Sequence, residues 1–423
     1  MENILIIGAG QAAHAALLEL ERLEFPGRII LAGAEPHLPY ERPPLSKEVL
    51  TGSSADTPES IYFRPRQDYQ KEHIVFKPES NVESLDAVNK IATLADGEQI
   101  AFDKCLIATG STPRLLPGLA PSARVHYFRT WEDALKLRDC LTAGCRFGVI
   151  GAGFLGLELA SAASALGMDT EVFERSERIL PLHAPTFLSD WLLARAKANN
   201  IALHNSVENL SITEKDDEIL VCYDGGKRAK FQHIAITIGS QPNDSLAKSA
   251  GLRTHPQKGG VLIDDLGRTS IEGIYAAGDC ATSINPDSGT ATRIESWQNA
   301  NEQGRIAACA MVGKTPDKAA LPWFWTDVFG ANIQIYGEYE PDAIYVPKKL
   351  VNNEDVDKQL SIGVLNNRIV HAIAIDAARD LRPLRRLIEQ NIEINVCNFT
   401  NPEITTRDFA RNAVKEHRAK ANN

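Results

Sequence analysis

The sequence predicts an α/β protein built on two βαβ units of one plan, followed by an α+β region. Three features carry this expectation. A short apolar run leads into a glycine-rich turn and a helical stretch at the start of the chain, and the same succession recurs near residue 150. Each copy is followed by a second apolar run that ends in an acid. Beyond residue 315 the pattern changes to alternating, strand-like runs separated by Gly and Asn turns.

In the first copy, Ile4-Leu5-Ile6-Ile7 precedes Gly8-Ala9-Gly10-Gln11-Ala12-Ala13 and an Ala/Leu-rich helix to Leu23. Ile29 to Glu35 forms the next strand and acid, and Cys105 to Pro113, which contains Thr109-Gly110, closes the half. In the second copy, Phe147-Gly148-Val149-Ile150 precedes Gly151-Ala152-Gly153-Phe154-Leu155-Gly156 and a helix from Leu157 to Leu166. Thr170 to Glu174 and Ile234 to Pro242, the latter containing Ile238-Gly239, complete it. The two halves read as an internal repeat. Half one is longer, and the proline-stiffened loop Pro39 to Lys47 is where its extra sequence sits.

The acids Glu35 and Glu174 lie 25 and 21 residues beyond the middle glycine of their turns. A strand, a tight glycine turn, a helix start and an acid at that distance form the Rossmann-like arrangement that seats a pyrophosphate on a helix N-terminus and bonds a ribose hydroxyl. Ala13 takes the third glycine position of the first copy, which serves helix–strand packing. Two copies imply two dinucleotides. A flavin that stays bound and a nicotinamide that comes and goes, with hydride passing between them, is the pairing expected.

Acidic residues number 55 against 45 basic ones, a formal net charge of −10, which disfavours binding to a phosphate backbone. Hydrophobic residues make up 43%, so a packed core is feasible and disorder is not expected. No run of eighteen apolar residues occurs, and Met1-Glu2-Asn3-Ile4 passes directly into a strand, so neither membrane spanning nor export is expected. Seven cysteines without CxxC or Cys/His clusters suit free thiols in a cytoplasmic protein, with no metal site expected. The histidines show no ligand spacing. Cys140 and Cys145 are read as a helix end and a strand start.

A third block contains Gly273-Ile274-Tyr275-Ala276-Ala277-Gly278-Asp279-Cys280, then Arg293-Ile294-Glu295-Ser296-Trp297 and a helix to Met311. With the loop Glu41-Arg42-Pro43-Pro44-Leu45-Ser46-Lys47, Ala108-Thr109-Gly110, Arg129-Thr130 and Trp323-Phe324-Trp325, this block resembles the FAD-dependent NADH:ferredoxin reductases of bacterial aromatic-ring dioxygenases. It is similar also to putidaredoxin and rubredoxin reductases. The resemblance runs in order over roughly residues 1–390 and departs at Val328-Phe329-Gly330.

The resemblance implies that the nicotinamide unit is inserted into the flavin unit. The expected boundaries are 1–112 and 235–315 for the FAD-binding domain, 113–234 for the NAD-binding domain, and 316–423 for the C-terminal α+β domain. It places Ala12, Glu35, Lys47, Val82, Arg129, Asp279 and Trp297 against FAD, among neighbours Gly8, Gly10, Ala13, Arg42, Pro43, Thr109, Gly110, Gly278, Glu295 and Ser296. Asp279 would take a ribityl hydroxyl, a turn acid being the plainer alternative. Gly151, Gly153, Phe154, Leu155, Gly156, Glu158, Glu174, Ile238 and Gly239 would surround NAD.

Lys47 and Glu158 would meet beside the flavin ring, where the lysine stabilises charge on the reduced flavin. The alternative for Glu158 is a solvated helix-start carboxylate. Trp325 would stack on the nicotinamide or flavin, or else sit in the core. The electron acceptor implied is a small iron–sulfur ferredoxin feeding a terminal oxygenase. No cysteine falls between Glu35 and Gly52, where disulfide-reducing relatives carry a redox pair, and no cysteine cluster here could hold an iron–sulfur centre.

Arg379, Arg382, Arg385 and Arg386 read as a solvated helix face, with ferredoxin docking as a second possibility. The competing functions are a stand-alone NADH oxidase and a redox-sensing flavoprotein of the apoptosis-inducing type. Glu174 favours NADH over NADPH, while Arg175 and Arg178 stand where an arginine could accept a 2′-phosphate. The last twenty residues, polar and basic, are expected to fray.

Overall fold

The computed structural model describes residues 1–52, 57–181, 183–215, 217–285, 288–350 and 358–421. The chain divides into two compact units, one formed by residues 1–114, 129–135 and 239–320, the other by 115–128, 136–238 and 321–423.

In the first unit, five parallel strands lie in the order Ile274–Ala276, Lys104–Ile107, Asn3–Ile7, Arg28–Ala32 and Ile74–Lys77. Their near-continuous apolar sequences are those of a sheet covered on both faces. One face packs Ala13, Ala16, Leu17 and Leu20 of the helix Gln11–Arg22. That helix lies close to the helix Trp297–Met311, where a Cβ at Gly304 would stand 2.2 Å from the Ala12 carbonyl oxygen. The other face packs Val82, Leu85, Ala92 and Leu94 of the antiparallel strands Val82–Asp86 and Ile91–Leu94. A two-strand ribbon pairs Ser111–Pro113 with Ser240–Pro242.

The second unit repeats the plan, with parallel strands in the order Ala202–His204, Asp169–Phe173, Arg146–Ile150, His233–Ile236 and Val125–Tyr127. The helix Phe154–Ala165 follows its glycine turn. Cys140 ends the helix Trp131–Cys140 and Cys145 directly precedes the strand Arg146–Ile150, as expected. Five strands form an antiparallel sheet in the order Trp323–Val328, Ala331–Gly337, Arg368–Ile375, Gln359–Leu365, Ile344–Lys348. Phe329 and Gly330, both at positive φ, make the tight turn of its first hairpin.

The expectation of a frayed end is corrected. Thr406–Ala421 is a helix, and Phe409, Ala410 and Ala413 lie on one of its faces, buried against Leu381, Leu384 and Leu387. Composition hid this stripe because Phe409 and Val414 are its only large apolar residues amid charge and alanine. Among the described residues no helix is long and apolar enough to cross a membrane.

Candidate functional site

The first unit's glycine turn is shaped by close backbone approaches. Gly8 sits at φ +109°, and a Cβ there would lie 2.2 Å from the Ala108 carbonyl oxygen. Gly10 precedes the helix Gln11–Arg22, a Cβ on it would meet nothing within 4 Å, and no side chain caps the helix. The helix start therefore faces open space with its first N–H groups unspent, which fits a pyrophosphate. Ala12 and Ala13 are buried. Gly278, also at positive φ, lies close to Ala12, where a Cβ on it would stand 3.1 Å from the Ala12 Cβ, and donates its N–H to Gln303 Oε1 at 2.8 Å.

Beside this turn a polar chain joins residues far apart in sequence. Glu35 accepts from Tyr40 Oη at 2.5 Å and from Arg42 Nη2 at 2.6 Å. Arg42 Nη1 donates to Tyr40 Oη at 3.0 Å and to the Arg129 carbonyl at 2.8 Å. Arg129 Nη2 in turn meets Asp279 Oδ2 at 2.8 Å, and Ser111 Oγ donates to the same oxygen at 3.0 Å. Burial alone would raise the Glu35 carboxyl, but the Arg42 charge and the Tyr40 and Arg42 hydrogen bonds outweigh it and hold Glu35 below the usual carboxylate range. Burial, reinforced by Glu35, pushes the Tyr40 phenol up.

The remaining first-unit residues frame this chain. Pro43 opens the tight 3₁₀ turn Pro43–Ser46, and Lys47, half-buried after it, reaches the Pro43 carbonyl at 3.3 Å. Val82 is buried on its strand. Thr109 and Asn243 exchange two hydrogen bonds, of 2.6 and 2.9 Å, next to Gly110 at φ +68°. Glu295 is engaged by Arg293 and Ser240. Ser296 caps the helix Trp297–Met311 by accepting from the Asn299 N–H at 3.1 Å, and Trp297 is half-buried on its first turn.

In the second unit, Gly151 at φ +104° approaches Thr237, whose hydroxyl donates to the Gly151 carbonyl at 2.9 Å. Gly153 precedes the helix Phe154–Ala165 as Gly10 does its own, again with open space and no side-chain cap. Glu174 accepts from the Ala152 N–H at 2.8 Å and the Ser176 N–H at 2.7 Å, so the acid is fixed against the glycine turn. Leu155 is half-buried and Ile238 packs on the unit's core, while Gly239, where the chain re-enters the first unit, sits at φ +101° with open space beside it.

Glu158 is not a solvated helix-start carboxylate. It is 8% exposed and accepts from the Thr326 hydroxyl at 2.6 Å. On the same strand Phe324 packs on Phe154, ring centroids 4.4 Å apart, while Trp325 and Trp323 stack at 4.9 Å and are half-buried. Lys47 and Glu158 belong to different units. Arg178 donates to the Ala184 and Pro181 carbonyls and to Ser189 Oγ, so it is spent within its own loop. Arg175 is exposed. Arg379, Arg382, Arg385 and Arg386 are all exposed, and Arg385 pairs with Glu389 at 2.6 Å.

Sequence reasoning missed Tyr40, Ser111 and Thr326. Tyr40 lies inside the proline loop and Thr326 beside Trp325, so both stood in motifs already singled out. A tyrosine five residues after an acid, or a threonine on a strand, is too common for spacing to mark it.

The description "Pyridine nucleotide-disulphide oxidoreductase" matches residues 2–304, and "Reductase C-terminal" matches residues 323–410. The chain is 33% identical to the 3-phenylpropionate/cinnamic acid dioxygenase ferredoxin--NAD(+) reductase component of Photorhabdus laumondii, over 93% of this chain and 98% of that one. It is 32% identical to the p-cumate 2,3-dioxygenase system ferredoxin--NAD(+) reductase component of Pseudomonas putida, over 97% and 99%. Among solved structures, the putidaredoxin reductase of a covalent complex with putidaredoxin superposes with a TM-score of 0.90, at 25% identity, covering 99% of both chains.

Proposed function

Because the chain belongs to the pyridine nucleotide-disulphide oxidoreductase family, among the ferredoxin--NAD(+) reductases of aromatic dioxygenase systems, we infer that it passes electrons from NADH through FAD to an iron–sulfur ferredoxin. The observation that carries this reading is end-to-end likeness to reductase components, on a chain with two open glycine cradles, each paired with an acid. When bound, FAD supplies the conversion between a two-electron hydride and single electrons. We place the protein in the cytoplasm. The flavin domain would comprise 1–112 and 235–315, the nicotinamide domain 113–234 and the C-terminal domain 316–423.

The chain's own residues bind and orient. The Gly8–Ala13 turn would hold the FAD pyrophosphate, Glu35 its adenosine ribose, and Asp279, backed by Arg129 and Ser111, the ribityl chain. The Gly151–Gly156 turn and Glu174 would do the same for NADH. Lys47 would place positive charge beside the reduced flavin, and within the second unit Thr326 holds the Glu158 carboxylate in place. Hydride transfer needs alignment more than proton abstraction, so Phe154 and Trp325 serve as packing surfaces.

The direct test compares NADH-dependent cytochrome reduction with and without added ferredoxin. A marked dependence on ferredoxin is expected; equally fast NADH oxidation by oxygen alone would make the chain an oxidase instead. Lys47→Ala and Glu158→Ala should each slow flavin reduction in stopped-flow by about ten- to a hundredfold. Wild-type rates in both would remove the pair from the mechanism.

Coenzyme choice follows from Glu174. With Arg178 occupied by backbone carbonyls, the acid meets a 2′-phosphate unopposed by that arginine, which favours NADH. Removing a like-charge clash of about 1–3 kcal/mol shifts relative affinity about ten- to a hundredfold. Glu174→Ala should therefore narrow the NADH preference by that factor in kcat/KM. Equal specificity constants for the two coenzymes in the unsubstituted enzyme would refute the assignment.

A further inference from the structure

The second unit brings together three residues that no spacing in the sequence connects. His126 lies on the edge strand Val125–Tyr127, and His233 starts the neighbouring parallel strand His233–Ile236. Cys140 is the last residue of the helix Trp131–Cys140. Their donor atoms all lie within 4.8 Å of one another, and His126 Nε2 stands 3.2 Å from His233 Nδ1. We propose that His126, Cys140 and His233 form a site for one thiophilic divalent cation of the zinc class, with the fourth position left to water.

The geometry suits that ion. Tetrahedral zinc with bonds of about 2.0–2.1 Å to nitrogen and about 2.3 Å to sulfur requires nitrogens about 3.3 Å apart and a sulfur about 3.6 Å from each. The two imidazole nitrogens already stand at close to that separation, and the Cys140 thiol lies within 4.8 Å of both. The donor set, two imidazoles and a thiol, selects zinc over calcium or magnesium.

The electrostatics agree. Burial, with His233 beside it, lowers the His126 pKa to about 4, so the ring is neutral and free to ligate at neutral pH. His233 is likewise lowered, by burial and by Arg124, and a backbone hydrogen bond with Ala123 gives it an outer partner of the kind that orients a ligating ring. Burial and the neighbouring Asp139 raise the Cys140 thiol, so without metal it holds its proton. Binding would form an S–metal bond and release that proton to solvent. Arg124, the nearby cation, pairs with Asp217 at 3.2 Å, which partly offsets its charge. The consequence would be a tether joining an edge strand, its neighbour and a helix end.

The test is titration of the flavin-loaded protein with Co²⁺, read in difference spectra beyond the flavin absorption. One Co²⁺ per chain with tetrahedral ligand-field bands, displaced by Zn²⁺, is expected. Cys140→Ser and His233→Ala should each lower the affinity about a hundredfold or more, beyond the loss of an outer-shell partner. A second measurement needs no variant: equimolar Zn²⁺ should protect Cys140 from alkylation, mapped by mass spectrometry. Undiminished Co²⁺ binding in both variants, or Cys140 alkylated at the same rate with and without Zn²⁺, would overturn the site and leave a hydrogen-bonded histidine pair beside a plain thiol.

Discussion

Gly156→Ala is expected to cost the second unit about 3 kcal/mol or more and to abolish productive NADH binding, although the first unit carries alanine at the matching position. A Cβ on Gly156 would stand 2.0 Å from the Gly151 carbonyl oxygen and 2.7 Å from Thr237 Oγ1. That carbonyl is itself bonded by the Thr237 hydroxyl, so neither atom can retreat without loss. The helix Phe154–Ala165 would have to lift from its turn, and its N-terminus would move with it. Ala13 is fully buried without such a conflict, so the two turns, alike in sequence, differ in depth. Thermal unfolding, NADH titration and flavin content of the variant decide the matter. Flavin should stay bound, since the first unit is untouched; a wild-type KM for NADH together with an unchanged Tm would show that the turn has slack that these close approaches deny.

Asp279→Ala should loosen FAD by about a hundredfold or more, so that the purified variant loses its yellow colour on dialysis. The carboxylate is 11% exposed on its side chain and receives both Arg129 and Ser111, so its removal leaves a guanidinium short of a partner as well as deleting the acceptor proposed for the ribityl chain. Asp279→Asn keeps the shape but loses the charge and should fall between. Full flavin occupancy of the alanine variant after exhaustive dialysis would sink the role given to this residue.

Much of the fold was legible because glycine turns followed by helices leave a periodic mark. The strands at Ile4, Ile29, Phe147 and Thr170, the helix to Met311 and the alternating C-terminal strands all stand where apolar patterning put them. The terminal helix was not legible, since its buried face rests on Phe409 and two alanines amid charge. Within the site, what patterning could reach were the turns and the acids. The partners of Glu35 and of Glu158, the latter singled out by the resemblance, are Tyr40 and Thr326, ordinary residues whose role is set by tertiary placement. The same holds for His126, Cys140 and His233, which only sheet pairing and a helix end bring within reach of one another.

The polar chain from Glu35 to Asp279 also has a history in time. Its first members leave the ribosome early, but Arg129 belongs to a segment that returns to the first unit, and Asp279 follows the strand Ile274–Ala276 that completes the sheet. At about 5–20 residues per second, Asp279 appears some ten to fifty seconds after Arg42. Through that interval the Glu35, Tyr40 and Arg42 cluster lacks the Arg129–Asp279 pair that completes the chain, and the strand Lys104–Ile107 presents an uncovered edge. On the flavin-binding role proposed for Asp279, cofactor loading would be a late event of biosynthesis, and a nascent chain stalled before residue 274 would expose the edge on which aggregation would begin.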